Sequence, residues 1–402
     1  VIIVGGGPVG LTLAHILEEH QVPWLLIEPR AEPDEHSRAI GVAPPTQEIF
    51  DRIGVLPEIE RAGLPIRHAL IHGDGAWPGI EGKGRGSLLD FEQLEDNPSC
   101  IISIPQKQTE TILRASLSRR APDRLWCGYR AVSAGRNGRG VCVEAESVTR
   151  REGTGRVVEV HADYLCGCDG VRSLVRESLI GRGRDYRYPQ RFVMGDFRDQ
   201  SGLGEEAHLY FTRTGSVEAF PLPGGVRRWI VQTDRYYRDP PPGLLARLVR
   251  ERAGYDLDER ECTWRSSFRI RRSFAAAMAN PPVFLAGDAA HTVPPIGGQG
   301  MNLGIGDAEH LGDMLASAYW NGEPSAGQVA GYQRRRVTSA THAGVLSVFG
   351  MRVGTIQGPI AGRVRDGVLR ALLKSGFSRR FMREFAMVAA PYSRSPWRRD
   401  YR

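Results

Sequence analysis

The chain has 402 residues, 41% of them apolar and 25% charged, with a formal net charge of +7. That length allows two domains, or one large domain with an insertion. No apolar run reaches the roughly 20 residues of a membrane helix. The positive charge is almost all arginine, since Lys83, Lys107 and Lys374 are the only lysines, and it is scattered among acids rather than gathered into a nucleic-acid patch. Six cysteines (Cys100, Cys127, Cys142, Cys166, Cys168 and Cys262) show neither paired metal spacing nor a disulfide framework, which fits a reducing cytoplasm.

The chain opens inside an apolar strand, Val1 to Val4, so a few leading residues are expected to precede it. Gly5-Gly6-Gly7-Pro8-Val9-Gly10 follows, a GxGxxG motif with glycines at 5, 7 and 10. Leu11, Leu13, Ala14, Ile16 and Leu17 then run at helical spacing, and a second strand from Trp24 to Ile27 ends at Glu28. Strand, glycine turn, helix, strand and terminal acid make a dinucleotide-binding unit, with the pyrophosphate on the helix N-terminus and the acid on a ribose. An acid at 28 rather than an arginine favours an unphosphorylated adenosine ribose, hence FAD or NAD.

Arg38 precedes an amphipathic helix carrying Ile49, Phe50 and Ile53, and is either a phosphate or flavin contact or a solvated surface charge. Gly63 to Ser99 reads as a loop-rich excursion. Ile101 to Ile104 returns to strand, and Pro105-Gln106 opens a helix, a favourable place for proline. Gln106 there is a cofactor contact or an ordinary exposed glutamine. Residues 125–168 alternate like a small antiparallel sheet with a turn at Asn137-Gly138. The segment ends in Cys166-Gly167-Cys168, then Asp169-Gly170 before a helix over Val171 to Arg176; an acid–glycine pair there faces a nucleotide or is a common turn.

Residues 187–235 and 262–270 read as strands rich in aromatics, including Phe192, Tyr210, Phe211, Phe220, Trp229, Trp264 and Phe268. Pro221 to Gly225 marks a hairpin turn. Each aromatic is more often core than ligand contact, but the sheet is broad enough to roof a planar aromatic molecule.

Gly287 to Asp307 reads GDAAHTVPPIGGQGMNLGIGD and follows a short buried strand, Val283 to Ala286. The glycines at 297, 298 and 300 let backbone N–H groups approach a planar ligand, and the helix opening at Met301-Asn302-Leu303 adds unpaired donors. Asp288 is placed to accept from a ribityl or ribose hydroxyl. His291 is tempting as a base, but a structural hydrogen bond is the stronger reading. Helical patterns cover Leu244 to Arg252, Asp307 to Ala318 and Gln328 to Phe349. The C-terminal stripe Val364, Val368, Leu369, Leu372 and Leu373, ringed by arginines, belongs to a helix packed on the second sheet or lying on a membrane.

With these stretches in place, the chain resembles the single-component flavoprotein aromatic hydroxylases, in particular the branch acting on aromatic polyketides. The resemblance rests on Gly5–Gly10 with Glu28, Arg38, Gln106, Asp169-Gly170 and Gly287–Asp307, in the family's order and spacing. Glu309-His310 departs from the usual residue-then-asparagine, with helix packing rather than the flavin affected. Many such hydroxylases continue into a thioredoxin-like domain from about where this chain stops, near Tyr392, so that domain is expected to be absent or not included.

The resemblance implies an α/β fold: a Rossmann-like FAD-binding domain with an inserted β-sheet substrate domain and C-terminal helices. The expected boundaries are 1–62, 100–186 and 277–345 for FAD, 63–99 and 187–276 for substrate, and 346–402 for the helical segment. Gly5, Gly7, Pro8, Val9 and Gly10 are expected at the pyrophosphate and Glu28 at the ribose. Arg38, Gln106, Asp169, Gly287 and Asp288 are expected along the phosphate and ribityl chain. Pro295, Gly298, Gly300, Met301 and Asn302 are expected around the isoalloxazine. It further implies NADPH or NADH as reductant, dioxygen as co-substrate, and hydroxylation of an aromatic small molecule through a flavin C(4a)-hydroperoxide. An oxidase or reductase, a Baeyer–Villiger or epoxidising enzyme and a non-catalytic flavin protein remain alternatives; a halogenase is disfavoured by the lack of a Trp-x-Trp motif. No catalytic base is assigned; His208, Tyr210 and Arg213, with His72, are candidates by domain only.

Overall fold

The computed structural model describes residues 1–34, 39–73, 87–94, 98–148, 157–295, 297–374, 377–388 and 395–396. It is a mixed α/β fold built on two principal sheets. The first has six strands in the spatial order Ala279–Asn280, Val283–Leu285, Leu165–Gly167, Ile2–Val4, Leu25–Glu28 and Leu125–Cys127. All neighbours run parallel except the Ala279–Asn280 edge. Its four inner strands are short and buried, as parallel strands covered on both faces must be. The helices Pro8–Glu19 and Gln299–Asn321 pack together beside it. Leu11, Leu13, Ile16, Phe284, Leu311 and Met314 are among its fully buried side chains.

The alternating stretch 125–168 divides between sheets, contrary to expectation. Leu125–Cys127 becomes the parallel edge beside Leu25–Glu28, and Leu165–Gly167 enters the sheet centre. Only Tyr129–Asn137, Gly140–Ser147 and Val157–Ala162 form the antiparallel sheet. Alternation cannot separate these fates, because short edge and centre strands share it. The helix expected over Val171–Arg176 is a single π-turn, Arg176–Ile180.

The second sheet has eight strands: His291–Thr292, Cys262–Ala275, Arg182–Arg198, Val226–Thr233, Gly215–Leu222, Ala207–Thr212, His68–His72 and Ser87–Asp90. The segment read as loop-rich thus supplies two strands, His68–His72 lying parallel to Ala207–Thr212. Residues 74–86 and 95–97 of it lie outside the described residues. The Pro223–Gly225 turn joins its hairpin, with Gly224 and Gly225 both left-handed (φ 77° and 69°).

Alternation gives this sheet two different faces. One face carries Val193, Val217, Ala219, Trp229 and Val231 beneath the helix Leu244–Ala253. The other faces the C-terminal helices: Leu209, Phe211 and Phe220 pack with Phe381, Met382 and Phe385, while Phe192, Met194 and Phe268 meet Met351 of the helix Ala326–Gly354.

The C-terminal stripe is turned differently from the expectation. Val364 and Val368 are 62% and 53% exposed, while Arg365 and Asp366 are buried. Arg365 donates to the carbonyls of Phe211, Thr212 and Ile356 and pairs with Asp366 at 2.8 Å, and this polar anchoring fixes the rotation of the helix Pro359–Lys374. No helix among the described residues is long and apolar enough to cross a membrane.

Candidate functional site

The glycine turn divides its work among three positions. Gly5 sits at φ 107°, and a side chain there would meet the Cys168 carbonyl at 2.3 Å. A Cβ on Gly10 would lie 1.9 Å from the Gly5 carbonyl, so the first helix can approach the strand only without one. Gly7 has nothing within 4 Å of its Cβ direction. The backbone at Gly7 therefore borders open space, at the start of a helix whose first N–H groups have no side-chain cap. That is the geometry of an anion cradle. Pro8 is the buried first residue of this helix.

Glu28 is 3% exposed and closes the turn from outside: its Oε2 accepts from Gly6 N at 2.7 Å and its Oε1 from Arg30 Nε at 2.9 Å. Beside it runs a polar stripe of the helix Gln106–Arg120 that sequence inspection missed beyond its first member. Gln106 Nε2 donates to Glu110 Oε1 at 2.7 Å, and the other Glu110 oxygen is buried with no partner; burial raises this carboxyl. Arg114 donates to the Ala31 carbonyl at 3.0 Å. The spacing 106, 110, 114 is the signal that could have exposed the stripe, since residues four apart share a helix face. Arg38 lies outside the described residues.

Asp169 follows the central strand. Its Oδ2 accepts from Leu174 N at 2.7 Å, while its Oδ1 is buried and unpartnered, and burial raises its carboxyl against these hydrogen bonds. Asp288 is exposed although Gly287 and Ala289 on either side are buried. Solvent reaches it, yet enough protein surrounds it that burial pushes its carboxyl up. Val9 closes this end. A Cβ on Gly287 would stand 2.9 Å, and one on Gly304 2.6 Å, from Val9 Cγ2.

The loop after Asp288 ends in left-handed Gly297 and Gly298 (φ 84° and 64°), and Gly298 heads the helix Gln299–Asn321 with no side-chain cap. Pro295 accepts through its carbonyl from Gly298 N at 2.9 Å. Gly300 packs toward Val293, and Met301 is half-buried against the core. Asn302 faces inward: its Oδ1 accepts from Ala43 N, and its Nδ2 donates to Gly41 and Gly298 carbonyls, at 2.9, 3.0 and 3.0 Å. It stitches the loop to the segment 41–43.

His291 is 2% exposed, with its Nε2 2.7 Å from Asp307 Oδ2. The same oxygen accepts from Gly287 N at 2.9 Å, and Oδ1 accepts from Arg336 Nε at 2.6 Å. Burial opposes the Asp307 charge, but His291 and Arg336 outweigh it and hold the carboxyl below its usual range. His291 is therefore part of a structural network beneath the loop. Glu309 and His310 are buried, and Glu309 turns toward Arg52 at 3.5 Å.

The base candidates do not face the glycine loop. His208 and Tyr210 alternate with Leu209 and Phe211, so they point to the sheet face under the helix Leu244–Ala253. There His72 Nε2 lies 3.0 Å from His208 Nδ1, the His72 and Tyr210 rings stack at 4.3 Å, and Tyr210 O–H donates to Tyr255. Arg213 sits in an exposed turn. The face toward the glycine loop is instead mostly apolar, and Phe385 of the helix that covers it comes within 3.4 Å of a Cβ placed on Gly297.

An open backbone cradle at Gly7, the orphaned Asp169 Oδ1, the solvent-reached Asp288 and the uncapped helix at Gly298 together fit FAD: anion donors at one end, hydroxyl acceptors in the middle, backbone donors for the ring at the other.

Comparison with known proteins agrees. Residues 1–344 match the family described as FAD binding domain. The 6-methylpretetramide 4-monooxygenase of Streptomyces rimosus is 32% identical over 325 residues, covering 79% of this chain and 55% of that protein. The rifampicin monooxygenase of Streptomyces venezuelae is 31% identical over 330 residues, covering 79% and 64%. The chain thus spans between half and two thirds of these curated relatives. Among solved structures, the OxyS anhydrotetracycline hydroxylase from Streptomyces rimosus superposes with a TM-score of 0.77 at 26% identity, covering 98% of this chain and 76% of that one.

Proposed function

The chain belongs to the FAD binding domain family, and from that premise we propose an FAD-dependent monooxygenase of the polyketide aromatic hydroxylase branch that uses NADPH or NADH and dioxygen to hydroxylate an aromatic, polycyclic polyketide-type substrate. The observation that carries this reading is the juxtaposition of a glycine loop with an apolar cluster of the second sheet, whose Phe385 comes within 3.4 Å of a Cβ placed on Gly297. The relatives' names support the substrate class.

Bound FAD supplies the exchange of two electrons and the activation of dioxygen, chemistry no side chain offers. The protein's part is to bind, orient and exclude water. Gly7 and the first turn of the helix Pro8–Glu19 would hold the pyrophosphate, and Glu28 the adenosine ribose. Asp169 and Asp288 would accept from hydroxyls along the chain. The uncapped backbone N–H groups of Gln299, Gly300 and Met301 would hold the ring, with Gly298, Asn302 and Pro295 shaping the loop around it. Asn302, Asp307 and Arg336 keep that loop in place. Leu209, Phe211, Phe220 and Phe385 make the dry wall that the reaction needs against loss of activated oxygen to water.

The test is anaerobic stopped-flow reduction of the FAD-loaded protein by NADPH and by NADH, with and without polycyclic phenols, followed by turnover under oxygen-18. Ligand-accelerated reduction and one labelled oxygen in the product are expected. Fast reduction without ligand and no label would point to an oxidase or reductase.

A further inference from the structure

Glu218 is a carboxylate in the middle of the sheet face that looks toward the glycine loop. It stands on the strand Gly215–Leu222, paired with Leu209 on one neighbour and Ile230 on the other. Val217 and Ala219 turn to the opposite face, so Glu218 shares its face with Phe220, Leu209 and Phe211. It is 8% exposed, and no described residue gives it a hydrogen bond or an ion pair.

Charges on neighbouring elements are engaged elsewhere. On the same face, Arg228 is bound to Asp196 at 2.7 Å and lies over the Trp264 ring. Arg365, under the hairpin end, is paired with Asp366. On the helices that cover this face, His342 is bonded to Glu384 at 2.6 Å. Burial alone acts on Glu218, and it pushes the carboxyl up to about 7.

A buried carboxyl without a partner is costly, and a leucine between Leu209 and Ile230 would avoid that cost. Its retention makes sense if a ligand supplies the missing donor. We propose that Glu218 is a catalytic residue of the hydroxylase reading above, accepting the hydrogen bond of a phenolic hydroxyl on a polycyclic substrate and taking its proton as the ring is attacked. The phenolic O–H bond breaks with its electron pair left on the ring oxygen. The new O–H bond forms on the Glu218 carboxylate, and the proton returns to the product's ring oxygen. An electron-rich phenolate is the better nucleophile, and a base that titrates near neutral pH is matched to the task.

The experiment uses the FAD-loaded wild type with Glu218→Gln and Glu218→Leu. The probes are alizarin, juglone and lawsone, hydroxyquinones whose visible absorbance reports their ionisation. With at least one probe, the wild type is expected to bind the ionised form. Glu218→Gln should bind that probe at least about tenfold more weakly and as the neutral form, with its FAD content unchanged. Glu218→Leu should also keep FAD and lose the ionisation signal. Equal affinity and equal spectra in wild type and Glu218→Gln would overturn the assignment and leave the monooxygenase reading intact. Loss of FAD in both variants would make Glu218 a structural residue and overturn it as well. Failure of every probe to bind the wild type would also overturn it, whereas flavin reduction accelerated by monocyclic phenols would still uphold the broader reading.

Discussion

Asp307 Oδ2 and His291 Nε2 stand 2.7 Å apart beneath the glycine loop, with Arg336 held by the other Asp307 oxygen. The three side chains are nearly inaccessible. Asp307→Asn leaves the buried Arg336 charge without its counter-ion. Breaking such a pair from one side costs ~3–5 kcal/mol. Denaturant unfolding should show that loss, and FAD should dissociate more readily. His291→Gln should cost far less and leave reduction of the bound flavin measurable, because the Asp307–Arg336 pair survives.

The glycine turn separates folding from cofactor binding. Gly10→Ala places a methyl 1.9 Å from the Gly5 carbonyl, a backbone contact no rotamer relieves. A loss of ~3 kcal/mol or more is expected, with little folded protein recovered. Gly7→Ala meets no protein atom within 4 Å. Apoprotein melting should be nearly unchanged, while FAD affinity measured by flavin fluorescence falls tenfold or more.

Asn302→Ala removes three hydrogen bonds, two that join the loop to residues 41–43 and one that closes it on Gly298. At ~1 kcal/mol for each bond, the loss is ~2–3 kcal/mol. Limited proteolysis at the loop around Gly297 and Gly298 should be faster in the variant than in the wild type.

Two buried groups give opposite pH dependences. His15, fully buried against the Leu113 carbonyl, is lowered to about 4, first by burial. The unfolded chain takes its proton first, so the stability from His15 is complete above pH 6.5 and drains away as pH falls toward 4, by ~3 kcal/mol. Glu218 is raised by burial to about 7. There the unfolded chain loses its proton first, so stability is lost as pH rises from about 4.5 to 7, again by ~3 kcal/mol. Glu218→Gln should therefore match the wild type below pH 4.5 and melt higher than it above pH 7, in the absence of ligand.

What the sequence made legible was whatever local geometry forces. Gly5 and Gly10 can be read because close backbone approach excludes every side chain, and Gly298 because its left-handed turn favours glycine. The strand-then-helix order around Glu28 follows from periodicity alone. What escaped reading depends on partners far along the chain. Leu125–Cys127 looks like its antiparallel neighbours until Leu25–Glu28 takes it as an edge. His208 and Tyr210 attracted notice by chemistry, but which face of their strand meets the loop is set by the helices that cover it. Glu218 was overlooked for the same reason: its oddity is an unfulfilled carboxyl among apolar side chains, visible only in three dimensions.

The central parallel sheet carries a consequence for synthesis. Ile2–Val4 pairs at once with Leu25–Glu28, but its other edge waits for Leu165–Gly167, and that strand waits for Val283–Leu285. The helix from Gln299 that packs on the first helix comes later still. A ribosome-bound chain therefore exposes an unfinished strand edge through most of its elongation, and such edges are sticky. Chains stopped before Asn321 should aggregate rather than accumulate as half-sites, and FAD can be captured only near the end of translation. Because its sheet is closed by strands far apart in the chain, assembly is expected to be slow, and folded yield to rise when FAD is supplied during synthesis.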